Sequence, residues 1–500
     1  MNNTKVNIKN LIYKIFMIFI ICLGIFVRVK LYITKGVFED DDCRLAIAMF
    51  DKHLWEMFLP LGAFSSTPTF LFFSKIVANI TNYNEYALNI IPFCASLAGI
   101  IYFYKLTKQY FQKRISVIIT NFLFAYNYHL ISFSATFKQY SIEVLVTIMC
   151  LYYFPKIDIC KMSKKQTIFF AVILAMLPLI SLPSLFLIGV FVIMNIYAHL
   201  KDKVFYKKLI LIFIPFIAVL IPYYLFNLAP IKIMQYSNYA HFWNNIYSES
   251  LISSFTSYLY YVSWPNPVLI CHIILIILFF VAVCRKENRS DTDMYLTLFF
   301  IFIILAHMFH LYPIHGRTAL YALPVMLLMY IKAFDSINKN KLFITLNSLI
   351  IFVGFICYLL PDYSTSIIVN TDKAFIKYSP KKMLSIIQKN FNPETDVIIV
   401  NEASAYCFLF YNKILKFNTN NYIGLEHKDG KISKEYDFEQ LNNLDPNKHY
   451  WFYLIKEFIE APERVYVQEW LEKQNVKSVD KEYTSYLYYV IPPYKKVDYK

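Results

Sequence analysis

Apolar residues along this chain fall into long, nearly unbroken blocks. The first covers 11–27, and others cover 86–104, 115–131, 140–155, 167–181, 183–198, 209–227, 264–284, 294–311, 318–331 and 342–360. A helix needs about 20 apolar residues to cross the hydrocarbon of a bilayer, so the pattern predicts about eleven transmembrane helices. The apolar stretch 67–80 is short and contains Ser74 and Lys75, which predicts an interfacial helix instead. The run 168–198 holds Pro178 and Pro183 and is flanked by basic loops on both sides, so it reads as a tight helical hairpin. From about Pro361 the pattern changes. Helical spacing at 380–390 precedes a strand-like 396–401, a second strand at 449–455 precedes a helix near 461–474, and 484–491 closes as a strand. That alternation predicts a small α/β domain over 361–500, behind a membrane domain over 1–360.

Composition agrees with a membrane class. The chain is 58% hydrophobic and 17% charged, against about 25% charged in soluble domains. Nine glycines and no Gly/Ser linker exclude a string of soluble modules, and the hydrophobicity excludes disorder. The net charge of +15 changes the picture only through its location. Residues 361–500 hold 19 basic and 19 acidic residues, so the excess belongs to 1–360, in short loops between apolar blocks. With the N-terminus inside, loops 1–14, 105–114, 156–165, 199–208, 284–292 and 332–341 carry 21 of the 30 basic residues of that half. This is positive-inside asymmetry and needs no nucleic acid. An odd number of spans then puts the C-terminal domain outside. The first apolar block is followed by Arg28 and Lys30 in place of a cleavage site, which predicts an uncleaved first span. The nine cysteines show no CxxC and make no zinc or disulfide framework.

Candidate chemistry concentrates in the outer loops, at about 30–85 and 229–262. Glu39, Asp40, Asp41 and Asp42 are consecutive acids, with Arg44 close behind. Crowded carboxylates suit a general base or a cation site; the plain alternative is a solvated loop. At the outer end of the span beginning near 140, Lys138 and Glu143 flank Tyr140. Charges there are costly unless they snorkel or face a polar cavity. His307, His310 and His315 invite a metal, but no acid lies nearby in sequence. His241, Phe242 and Trp243 sit in the second outer loop, as an aromatic cap over a site or as an interfacial belt.

Asp41, Asp42, Cys43, Arg44, Leu45 and Ala46 after the first span, then Pro68, then Glu85, Tyr86, Ala87 and Leu88, then Lys138, Gln139, Tyr140 and Ser141, recur in one order. The series resembles the family-39-like branch of the C-type membrane glycosyltransferases, which includes protein O-mannosyltransferases and the lipid A aminoarabinose transferase. The resemblance covers the membrane half, and the tail's 381–411 and 451–490 stretches resemble outer domains of bacterial relatives. It implies a multi-pass protein of a bacterial-type inner membrane, N-terminus cytoplasmic and C-terminal domain outside. The implied reaction moves a sugar from a polyprenyl phosphate to a hydroxyl acceptor on lipid, glycan or protein.

By motif position the resemblance makes Asp41 the catalytic base, with Asp42 where relatives carry Glu and Asp40 one register away. It makes Arg317 a phosphate ligand, assisted by Lys138 and Lys232; the plain alternative for each is an interfacial anchor. Glu143 stands where relatives have an acid, whereas Thr136 stands where an acid is common. No cofactor is implied with certainty; a divalent metal, if one is used, falls to Asp41 and Asp42. Two rival functions stay open at this level: a transporter or flippase of lipid-linked glycans, and a non-catalytic envelope assembly protein.

Overall fold

The structure is a computed structural model. It describes residues 2–62, 66–238, 247, 250–263, 269–284, 290–337, 380–425, 439–455, 467, 469–474, 476–482 and 485–495. The expected last span at 342–360 lies outside these residues, as does half of the expected helix near 461–474. The chain parts into two compact units: Met1–Thr34, His53–Val77 and Leu88–Asn370 make one, and Lys35–Lys52, Ala78–Ala87 and Thr371–Lys500 make the other. The acidic stretch after the first span is thus grouped with the C-terminal domain.

The first unit is a helical bundle and the protein is a multi-pass membrane protein. Among the described residues, Asn10–Lys35, Glu85–Tyr110, Lys203–Ser237 and Asp291–Met308 are long and apolar enough to cross a bilayer unaided. The described helices, in chain order, are α1 (Asn2–Lys35), α2 (Asp40–Ala48), α3 (Pro68–Thr81), α4 (Glu85–Tyr110), α5 (Arg114–Ala125), α6 (Tyr128–Ser132) and α7 (Tyr140–Tyr153). They continue with α8 (Lys164–Ile180), α9 (Ser184–Ala198), α10 (Lys203–Tyr223), α11 (Ala229–Asn238), α12 (Leu251–Ser263), α13 (Leu269–Cys284), α14 (Asp291–Met308) and α15 (Leu323–Ile337). α8 and α9 form the hairpin that the prolines and flanking charges predicted.

Three spans depart from the sequence pattern. α1 does not stop at Val27 but carries Arg28 and Lys30 within it. Arg28 is fully buried: Nε donates to Ser96 Oγ at 2.7 Å, and Nη1 donates to the carbonyls of Gly24 at 3.0 Å and Ala125 at 2.7 Å. Ala125 ends α5, where carbonyls lack helical partners and a cation is favoured. Gly24 permits the approach, since a Cβ there would lie 2.9 Å from the Ala125 Cβ. The block 115–131 is correspondingly not one straight span: the chain bends by 54° after Ala125, because the Asn127 side chain caps a new helix by accepting from Leu130 N–H at 3.1 Å. The block 318–331 begins as a 3-10 turn, Gly316–Ala322, before α15. At the far end of the bundle, buried Asp293 at the start of α14 accepts from the Tyr110 hydroxyl of α4 and pairs with Lys332 of α15 at 3.1 Å. Three helices are pinned by one carboxylate.

The second unit is built on a five-stranded sheet of order β2-β1-β3-β5-β4, from β1 (Asp396–Val400), β2 (Tyr422–Gly424), β3 (His449–Ile455), β4 (Val476–Glu482) and β5 (Ser485–Val490). β1 runs parallel to β2 and β3, and β5 antiparallel to β3 and β4. β3 is buried along nearly its whole length, as a central strand covered on both faces should be. Phe452, Trp470 and Val490 fill one side. Helices α16 (Pro380–Asn390) and α17 (Glu402–Ile414) pack on the sheet as well. α16, β1, β3 and β5 match the predicted elements; α17, β2 and β4 were not legible in the sequence pattern.

Candidate functional site

In the second unit, the acidic run opens α2. Glu39 holds the N-cap position, and the Asp42 carboxylate accepts from the Glu39 N–H at 3.4 Å. Asp40 pairs with Arg44 one turn on, at 2.8 Å. Three carboxylates in a first helical turn meet the positive end of the helix dipole, which offsets their mutual repulsion. Asp42 is fully buried, Asp40 nearly so and Asp41 half-buried. Asp40 and Asp42 are thus engaged in the capped end of the helix.

α17 holds α2 in place. The Phe38 N–H donates to the Tyr411 hydroxyl at 2.9 Å, the Arg44 guanidinium lies 4.2 Å over the Tyr406 ring, and Phe50 stacks on Phe410 at 5.7 Å. The Cys43 and Cys407 thiols are both buried. Burial, then the Cys407 thiol, pushes the Cys43 pKa well up; burial raises that of Cys407 too. Glu85, quoted above for its motif, starts α4 and pairs with Lys381 of α16 at 2.9 Å. Local sequence offered one cue to α17: Asn401 caps it through Ser404 N–H at 3.1 Å, just past a strand.

In the first unit, the other candidates converge on one turn. Gly316–Ala322, which carries exposed Arg317, packs against α7. Lys138 is half-buried in the turn that leads into α7, and Tyr140 is buried with its ring edge-on to Phe133 at 4.9 Å. Gln139 accepts from the Ser66 hydroxyl at 2.8 Å, so the segment before α3 reaches the same place. Glu143 is 2% exposed and lies within electrostatic reach of the Tyr223, Tyr312 and Tyr321 hydroxyls. These tyrosines come from elements far apart in sequence, and nothing local marked them. Lys232 of α11 donates to the His310 carbonyl at 3.3 Å, on the loop that leads to Arg317. Trp243, with His241 and Phe242, lies outside the described residues.

An open apolar groove of about 210 Å³ lies in the same unit, lined by Thr69, Phe70, Phe73, Val77, Ile91, Ile142 and Ile180. Ile142 and Glu143 are consecutive residues of α7, so the helix that lines the groove also carries the buried acid. His307 Nδ1 accepts from the Ile314 N–H at 3.1 Å, and Tyr247 stacks on His310 at 4.6 Å. Among the described residues, three donors of the His, Cys, Asp or Glu type converge elsewhere, at Asp158, Cys160 and His199.

A helical membrane bundle with a five-stranded α/β unit is the fold that this chain shares with ArnT. The chain is similar in structure to ArnT from Cupriavidus metallidurans in the apo state, with TM-score 0.52 and 11% identity over 94% of this chain and 97% of that one. It matches ArnT bound to undecaprenyl phosphate equally, with TM-score 0.52, 10% identity and the same coverage. No protein-family profile matches the chain, and neither does any curated protein sequence.

Proposed function

We infer that the protein is an integral-membrane glycosyltransferase. It takes a sugar from a polyprenyl-phosphate donor and gives it to a hydroxyl acceptor at the outer membrane face, by a single inverting displacement. What supports this reading is the packing of Gly316–Ala322, the turn that carries Arg317, on α7, the helix that carries Tyr140 and Glu143 and whose Ile142 lines an apolar groove. An amphiphilic donor asks for that pairing, with a wall for its isoprenoid chain and cations for its phosphate. A fold of this kind holds undecaprenyl phosphate in ArnT.

Asp41 is the base that takes the acceptor hydroxyl proton, as the motif resemblance implies. The alkoxide then attacks the anomeric carbon, the bond from that carbon to the phosphate oxygen breaks, and the electron pair leaves with the polyprenyl phosphate. Arg317 offers a bidentate fork to that phosphate, and Lys138 and Lys232 add positive charge. Glu143 and Tyr140 support the cavity, and Asp40 and Asp42 fix the helical turn that presents Asp41. The C-terminal domain stands outside the membrane and serves acceptor recognition or forms a lid.

The test is transfer of labelled sugar from polyprenyl-phosphate donors to extracted envelope acceptors by the purified full chain in liposomes. Transfer that vanishes in D41N while donor binding persists supports the assignment. Undiminished transfer in D41N removes Asp41 as base, and absence of transfer from every donor class overturns the reading.

A further inference from the structure

The two basic loops 156–165 and 199–208 meet at one end of the bundle, and their side chains form a cluster that the sugar-transfer reading does not use. Asp158 opens the 3-10 turn Ile159–Lys161 by accepting the Cys160 N–H at 3.0 Å. The same carboxylate oxygen stands 3.2 Å from His199 Nε2. The Cys160 thiol donates to Asp202 Oδ2 at 3.2 Å. Ligand atoms of Asp158, Cys160 and His199 all lie within 4.8 Å of one another.

Each of these side chains is held by structure independent of the cluster. Asp202 caps α10, accepting Val204 N–H at 2.8 Å. His199 ends α9 and stacks on Phe205 at 5.5 Å. The Lys208 ammonium donates to the Cys160 and Met162 carbonyls at 2.7 and 2.6 Å, fixing the turn that aims the sulfur. Lys161 pairs with the other Asp158 oxygen at 2.9 Å, but its side chain is 85% exposed and free to swing into solvent.

We propose that Asp158, Cys160 and His199 bind a divalent ion of the zinc class, with water completing the shell. A sulfur, a nitrogen and an oxygen donor suit tetrahedral first-row ions, whereas magnesium and calcium take oxygen alone. Binding expels the thiol proton, and the imidazole binds through Nε2 with its proton on Nδ1. The ion ties the turn after α7 to the α9–α10 corner. The charge pattern reads this side as cytoplasmic, where thiols stay reduced and open to a metal.

The experiment uses the purified full chain, stripped with chelator and titrated with cobalt(II) chloride. The expected result is a thiolate-to-cobalt charge-transfer band saturating at one ion per chain and abolished by zinc chloride. C160S loses the band, D158N and H199A weaken binding about tenfold or more, and C22S and C284S leave it unchanged. X-ray absorption of the zinc-loaded wild-type chain, which does not depend on any variant folding, shows one sulfur at about 2.3 Å among nitrogen and oxygen. No charge-transfer band in the wild type, a full band in C160S, or no sulfur around zinc overturns the proposal.

Discussion

The Tyr411 hydroxyl accepts the Phe38 backbone N–H at 2.9 Å, joining positions 373 residues apart. Through this contact a helix of the C-terminal domain sets where the acidic turn begins. Y411F leaves a buried N–H without its partner, which costs about 1–3 kcal/mol. The expected outcome is earlier unfolding of the second unit and faster proteolytic cleavage near residues 36–52, with the bundle unaffected. Wild-type cleavage rates would show that the contact does not hold α2.

Buried thiols and phenols give this unit a pH limit. Burial raises the pKa values of Cys43, Cys407, Tyr411 and Tyr453. Their folded values exceed their unfolded ones, so their contribution to stability is intact below about pH 8.5, the ordinary thiol value. It declines as pH rises toward the raised values. Denaturation monitored between pH 7 and 10 should show stability falling on the alkaline side, and less steeply in C43A/C407A. The same two thiols should resist maleimide at pH 7.5 until denaturant is added.

Arg28 is buried among carbonyls, so its loss is felt in the bundle. R28M keeps the aliphatic stem and removes every donor, leaving Ala125 O at the α5–α6 break and Ser96 unpaired. A loss of about 1–3 kcal/mol is expected, read as a lower melting temperature in detergent, with the N-terminal span still inserted. An unchanged melting temperature would mean that water replaces the guanidinium.

Arg317 and Asp41 should separate kinetically under the proposed mechanism. R317A removes stabilisation of the departing phosphate and should lower transfer by about 10²–10³-fold. R317K keeps the charge without the planar fork and should fall between. D41N should lower kcat and leave donor KM nearly unchanged. Equal activity of R317A and wild type rejects Arg317 as a phosphate ligand.

Much of the architecture was legible in the chain itself. The bilayer demands long apolar helices, and short loops carry the topogenic charge, so the bundle class, the 167–198 hairpin and four elements of the tail follow from local pattern. The candidates Lys138, Glu143 and Arg317 were visible as charges at span ends, where desolvation makes them conspicuous. Other features had a weak local signature or none. The carbonyl of Ala125 at the bend is satisfied by Arg28 arriving from another helix, and α17, apart from its Asn401 cap, carries no clean apolar period because it is covered by the sheet and by α2. The surroundings of Glu143 are tyrosines drawn from three separate elements.

What the sequence decided alone is the solvent: an apolar chain with basic short loops belongs in a membrane, because transfer free energy sums along each segment without regard to partners. Tertiary structure decided the chemistry's setting. It turned four crowded acids into the capped first turn of a helix and placed that helix on a distant one. It also brought Asp158, Cys160 and His199 together across a helical hairpin. Such proximity comes from chain folding in three dimensions, and no spacing along the sequence encodes it.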